Sequence, residues 1–402
     1  MPPTYDVAAL RARFPALDAG YAHFDGPGGS QVPVEVARAV GETLTAPIAN
    51  RGTSYAAARN AELVVLTARQ AMADLLAADP GGIVFGRSMT ALTMDLARTL
   101  ARDWGPGDEI VVTRLDHDAN IRPWVLAAER AGATVRWLEF DPDTTELDEV
   151  GTVLSDRTRI VAVTGASNLV GTRPDLPAIA EQVHAAGALF VVDAVHLTAH
   201  AAIDVAALGA DVLLCSPYKF LGPHCGVLAA DPAFLEILRP DKLLPSTDAV
   251  PERLELGTLP YELLAGTTAA VDVLASLGPE HGSRRERLVA GMAAVEAHED
   301  RLRVRIEEGL AALPGVEVRS RAAHRTPTLL VQVPGGEARA AAFLADHGVF
   351  APAGSFYALE ASRRLGLGDD GALRIGLAPY SDDDDVDRLL NSLGEACRTG
   401  SS

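Results

Sequence analysis

Lysine is almost missing from this chain. Lys and Arg together number 35 in 402 residues, and only Lys219 and Lys242 are lysines. Arginine keeps its proton at any physiological pH, whereas a desolvated lysine can release one and attack a carbonyl. With arginine used almost everywhere else, surface charge is a poor reason for Lys219. It sits in Cys215-Ser216-Pro217-Tyr218-Lys219-Phe220-Leu221-Gly222-Pro223-His224, between an apolar run and a Gly-Pro turn. Lys219 is therefore the first candidate for a reactive group.

Other shortages narrow the class. Three cysteines, at 215, 225 and 397, show no metal-ligand spacing and cannot build a disulfide framework, which points to a reducing cytosol. No stretch offers about 18 uninterrupted apolar residues for a membrane span. The nearest, Ala185 to Ile203, is broken by Asp193, His196 and His200. Met1 to Leu10 lack the basic and apolar regions of a secretory signal. A net charge of -19 argues against a nucleic-acid or anionic-membrane surface, which needs clustered Lys and Arg. The expectation is a cytoplasmic, acidic protein with neither nucleic acid nor membrane as partner.

What is present is a large apolar fraction, 48% of the chain, enough for a sizeable core and two domains. From about Asp79 to Leu228, short strand-like runs alternate with amphipathic stretches. The runs are Gly82–Phe85, Glu109–Thr113, Thr134–Glu139, Ile160–Thr164, Leu189–Val192 and Val212–Leu214. That alternation predicts an α/β fold with a mainly parallel sheet covered by helices. Beyond Gly257 the pattern changes to helices at 262–277 and 284–313, strands at 316–319 and 328–333, a helix at 337–347, a strand at 373–377 and a helix at 382–397. This predicts a smaller α+β domain, with residues 20–275 forming the large domain and residues 1–19 and 276–402 the small one. The acidic run Asp382–Asp385 follows Ser381 and opens a helix, so capping and the helix dipole explain it better than a metal does.

Ligands on parallel sheets bind beyond the strands' carboxyl ends. Asp193 ends a very apolar strand and would be a costly buried charge unless it met a cation such as a protonated ring nitrogen. His117, after the strand Glu109–Thr113, suits stacking on an aromatic ring. Ser88, Met89 and Thr90 stand between a strand and a helix, where backbone N–H groups converge on an anion. Ser216 and Tyr218 can add donors. The glycines of Gly26-Pro27-Gly28-Gly29 match no nucleotide-binding fingerprint.

These residues carry a resemblance. The chain resembles the class V aminotransferase group of pyridoxal-phosphate enzymes, in its cysteine desulfurase and selenocysteine lyase branch. The matching stretches are Phe24–Gly29, Leu115–Trp124, Ser167–Thr172, Val192–His196, Ser216–Pro223, Glu255–Thr258 and Arg374–Tyr380. The resemblance implies fold type I and pyridoxal 5'-phosphate, with Lys219 joined to it as a Schiff base, Asp193 at the pyridine nitrogen and His117 on the ring. It places Asn168 and His196 near the phenolic oxygen and Ser88, Met89, Thr90, Ser216 and Tyr218 at the phosphate. A homodimer with shared active sites is implied, Thr258 coming from the neighbouring subunit. Arg374 looks like the carboxylate-binding arginine. Gln31, Arg51 and Tyr357 are further substrate-site candidates.

Two departures stand out. The stretch aligned with the desulfurase cysteine loop reads Phe350-Ala351-Pro352-Ala353-Gly354-Ser355-Phe356-Tyr357 and has no thiol. Pro352 stands where desulfurases place an arginine, and Tyr218 where many have histidine. The leading expectation is a carbon-sulfur lyase acting by β-elimination on cysteine or an S-substituted cysteine. Aminotransferase, epimerase and decarboxylase are alternatives within the group. A metal-dependent hydrolase using Asp116, His117, Asp118, Asp193 and His196 leaves Lys219 without a role, and a catalytically silent binding protein is the third class. No metal is expected.

Overall fold

The computed structural model describes residues 5–400. Its central element is a seven-stranded sheet of β1 (Ile83–Gly86), β2 (Glu109–Thr113), β3 (Thr134–Leu138), β4 (Thr158–Thr164), β5 (Leu189–Asp193), β6 (Val212–Cys215) and β7 (Gly226–Ala230). Strand order is β1-β7-β6-β5-β4-β2-β3, with neighbours parallel from β6 to β3 and β7 antiparallel to both of its own. These strands are rich in Val, Ile and Leu because both faces are covered. Successive side chains point to opposite faces. Ile110, Val112 and Val191 pack with Leu92, Leu96 and Trp124 on one side, while Val111, Phe190 and Val192 pack with Met72, Val183 and Leu274 on the other. The α/β expectation holds, with strand ends displaced by one or two residues.

A second, antiparallel sheet joins β8 (Glu317–Val318), β9 (Thr328–Gln332), β10 (Ala353–Gly354) and β11 (Ala372–Gly376) in the order β10-β11-β9-β8. Its core includes Leu329, Ile375, Leu389 and Leu393, with Leu302 and Ile306 from the 28-residue helix Arg284–Ala311. The N-terminal stretch divides between the two cores. Leu10, Phe14 and Leu17 belong to the core of the seven-stranded sheet, whereas Ala22 and Phe24 belong to that of the smaller one. The reason is local: Ala22–His23 pairs with Val349–Phe350 as a parallel ladder, while the Phe14 ring packs on Tyr380, centroids 4.9 Å apart. Residues 1–4 and 401–402 of the expected small domain lie outside the described residues.

β7, β10 and the helices Val34–Thr45 and Ala56–Leu76 are among the elements absent from the sequence-based expectation. The acidic run is a helix start, as expected, but its cap is Asp382, whose carboxylate accepts from the Asp385 N–H at 2.9 Å. Ser381 instead accepts from the Ala378 N–H at 3.0 Å. The negative charge is met by Arg11, Arg301 and Arg305. Among the described residues, no helix is long and apolar enough to cross a membrane.

Candidate active site

Parallel strands bring their carboxyl ends to one edge of the sheet, so Thr164, Asp193 and Ser216 meet there although they are far apart in the chain. A cavity of about 620 Å³ opens at that edge, within the size range of small-molecule sites. Lys219, Asp193, His117, His196, Asn168, Ser88, Met89, Thr90, Ser216, Tyr218, Arg374 and Tyr357 all line it.

Lys219 ends the single turn Pro217–Lys219 that follows β6. Its Nζ donates to the Pro27 carbonyl at 2.5 Å and lies 4.7 Å from the Tyr218 ring centroid. Burial, helped by the charge of Arg374, pushes the amine down to about 7. Asp193 accepts from the Val195 N–H at 2.9 Å. Burial raises its carboxyl to about 6, opposed by that bond and by Lys219. His117 is lowered to about 4 by burial and then by Lys219, so its ring is neutral near pH 7. Its Nδ1 accepts from the Ala119 N–H at 3.0 Å, which leaves the proton on Nε2. Behind it lies fully buried Asp116, raised to about 8 by burial and bonded to Asn120 and Thr113.

An anion cup stands at the N-terminus of the helix Met89–Leu100. Ser88 caps it by accepting from the Ala91 N–H at 3.1 Å, and the first N–H groups of a helix have no carbonyl of their own. β7 passes directly beneath. Gly226 pairs with Gly86, and a β carbon on Gly226 would lie 2.2 Å from the Ser88 carbonyl carbon, so only glycine fits. Arg374, on β11, supplies the second positive locus. It donates to the Asn168 carbonyl at 3.1 Å, its Nε is buried without a hydrogen-bond partner, and burial lowers the guanidinium to about 9.

Three expected residues do not line the cavity. Arg51 is taken up by Glu62 and Glu252, each at 2.9 Å, so its guanidinium is not free for a substrate within this chain. Gln31 donates from its backbone to the Tyr380 hydroxyl at 2.9 Å, with its amide against His23. Thr258 is exposed, just ahead of the helix Tyr261–Ala275. Four residues of the metal alternative, His117, Asp118, Asp193 and His196, line this cavity, but no group of three or more His, Cys, Asp or Glu able to hold a metal exists among the described residues. Three contributors went unforeseen. Pro27 receives the Lys219 proton donor, His224 stacks on Tyr218 with centroids 4.8 Å apart, and Phe356 lies over Arg374. The Gly-Pro-Gly-Gly turn was the only signal for the first.

Residues 22–389 match the family model described as Aminotransferase class-V. The chain belongs to the class V aminotransferase family. It is 36% identical over 395 residues to an uncharacterized protein of Mycobacterium tuberculosis, covering 97% of this chain and 98% of that one. To the cysteine desulfurase CsdA of Escherichia coli it is 30% identical over 412 residues, covering 98% of each. The crystal structure of CsdA superimposes with a TM-score of 0.86 at 27% identity, covering 98% of this chain and 99% of that one. The protein is thus a fold type I enzyme of the class V family, and its cofactor is pyridoxal 5'-phosphate. The cavity fits that group. It offers a desolvated amine, a buried carboxylate short of a cation, a helix N-terminus for a phosphate, and a buried, unpartnered Asn168 Oδ1.

Proposed function

We propose that this enzyme is a carbon-sulfur lyase that cleaves cysteine or an S-substituted cysteine by β-elimination, releasing a thiol, pyruvate and ammonia. The observation that carries this reading is a cavity in which Lys219, Asp193 and Arg374 converge and whose lining contains no cysteine. All three cysteines, at 215, 225 and 397, are buried thiols, so release of sulfur as a free thiol fits better than its transfer to a protein side chain. The 30% identity to a protein named cysteine desulfurase supports cysteine chemistry.

When bound, pyridoxal phosphate supplies an aldehyde for the substrate amine and a ring that draws electron density from the α carbon. In our reading Lys219 Nζ, which burial lowers to about 7 so that a large share is unprotonated near neutral pH, takes the α proton. Asp193 would hold a proton at the ring nitrogen, and neutral His117 would face the ring. Asn168 and His196 would serve the phenolic oxygen, the latter steadied by the Thr326 and Thr328 hydroxyls, both at 3.0 Å. Ser88, Met89, Thr90, Ser216 and Tyr218 would hold the phosphate, and Arg374 the substrate carboxylate.

The working unit is proposed to be a homodimer. Large apolar side chains stay exposed at Leu44, Tyr55, Leu63, Leu66, Ile237, Leu243, Leu244 and Leu256, and the partner subunit's Thr258 would complete the phosphate site. The two cores suggest a large domain up to about residue 275 and a smaller one beyond it. Buried thiols and the composition fit a cytoplasmic location. Holoenzyme given S-methylcysteine is expected to release pyruvate, and Lys219→Ala to lose both that activity and the visible absorbance of bound cofactor. Exchange of the α proton in deuterated water with no pyruvate would sink the lyase assignment.

A further inference from the structure

Phe356 and Tyr357 line the same cavity as Arg374 and His117. The Phe356 ring centroid lies 3.7 Å from Arg374 Cζ, and the Tyr357 ring stacks on His117 with centroids 5.4 Å and planes 25° apart. Both residues have left-handed backbones, with φ of 51° and 61°, a conformation that residues with side chains keep only where their surroundings impose it. Two groups at the cavity impose it here. Asn168 Nδ2 donates to the Phe356 carbonyl at 2.9 Å, and the Asp118 N–H donates to the Tyr357 carbonyl at 2.7 Å. Their backbones are therefore fixed at the cavity, with Phe356 half-buried and Tyr357 exposed. Nearby Met94, Ala119 and Pro123 add no charge, and Arg122 is paired with Asp118 at 3.1 Å.

We propose, resting on the reading that an amino acid binds through Arg374, that Phe356 and Tyr357 are specificity-determining residues for a substrate whose side chain ends in an apolar group of aromatic size. For the lyase reaction this means a cysteine whose sulfur carries such a group. Phe356 covers one face of the guanidinium, so a substrate carboxylate reaches Arg374 along its edge, with the rest of the molecule beside the two rings. A polar end group would lose its water there without gaining a partner. An apolar one that buries about 60 Å² gains roughly tenfold in affinity at about 25 cal/mol per Å².

The test is equilibrium titration of the holoenzyme, followed by the cofactor's visible spectrum, with L-alanine and L-phenylalanine. Neither contains sulfur, so the result does not depend on carbon-sulfur cleavage. Wild-type protein is expected to bind phenylalanine about tenfold more tightly than alanine. Phe356→Ala and Tyr357→Ala should each shrink that ratio, while Phe356→Leu should keep most of it. Equal wild-type affinities, which need no variant to fold, overturn the proposal. So does a full preference retained in both alanine variants at unchanged melting temperature. Preference for phenylalanine together with no pyruvate from S-benzylcysteine upholds the specificity and removes the lyase assignment alone.

Discussion

Asp193 and Ser216 reach the cavity from the ends of buried strands, each strand paired to its neighbours, and Lys219 from the single turn that follows one of them, whereas Phe356 and Tyr357 reach it from a left-handed turn tied down by two hydrogen bonds. The first group moves only if the sheet moves. The second can change in sequence and conformation while the sheet stays as it is, because loops carry few of the contacts that hold a fold together. The difference teaches where shared and particular chemistry lie. In the proposed reading, Asp193 and Ser216, which would serve the cofactor, lie at the sheet's edge, and the groups that would meet the substrate's variable end lie on the turn.

Substitutions can break this comparison. The largest effect is expected for Asp193→Asn, which keeps the shape of the side chain and removes its charge. Steady-state kinetics should show kcat lower by on the order of a hundredfold to a thousandfold, with a much smaller change in KM. Near wild-type turnover would mean that the strand-end half is not the chemical half. A smaller effect comes from pH. Burial holds the Lys219 amine near 7, and only its neutral form attacks an aldehyde. Stopped-flow capture of pyridoxal phosphate by cofactor-free protein should therefore speed up as pH rises toward 7 and level off above it. Below 7 the rate should fall about tenfold per pH unit. A rate still climbing toward the ordinary lysine value of 10.5 would mean that the amine is not desolvated. The smallest effect sharpens the other side. Tyr357 is 76% exposed, so Tyr357→Gly removes little buried surface and relieves a left-handed backbone. It should raise stability in urea by up to about 1 kcal/mol, whereas the same change at a right-handed loop position would lower it.

Much of the strand-end half is legible in the sequence. β-branched and leucine-rich runs mark β2, β4 and β5 because both faces of a parallel sheet want the same residues. Lys219 stands out against an arginine-rich background, and Asp193 against an apolar strand. β7 is less visible. Its sequence, Gly226-Val227-Leu228-Ala229-Ala230, contains one β-branched residue, and glycine is required at Gly226 by the contact with Ser88. Arg51 shows the limit of reading charge from sequence. Nothing in its neighbourhood reveals that Glu62 and distant Glu252 claim the guanidinium. The turn at Phe356 is hidden for another reason. Left-handed residues usually announce themselves as Gly or Asn, and here two aromatic residues take that conformation, held by Asn168 and Asp118 from elsewhere in the chain.

The glycine contact between β7 and the helix end at Ser88 has a mechanical meaning. The segment that carries Lys219 turns back and runs under the anion cup with no slack between them. Amine and cup therefore form the two jaws of a calliper locked at one opening. In the proposed reading, a ligand with its aldehyde and phosphate at another spacing would not seat both ends together, so the distance between amine and cup would select the cofactor by length.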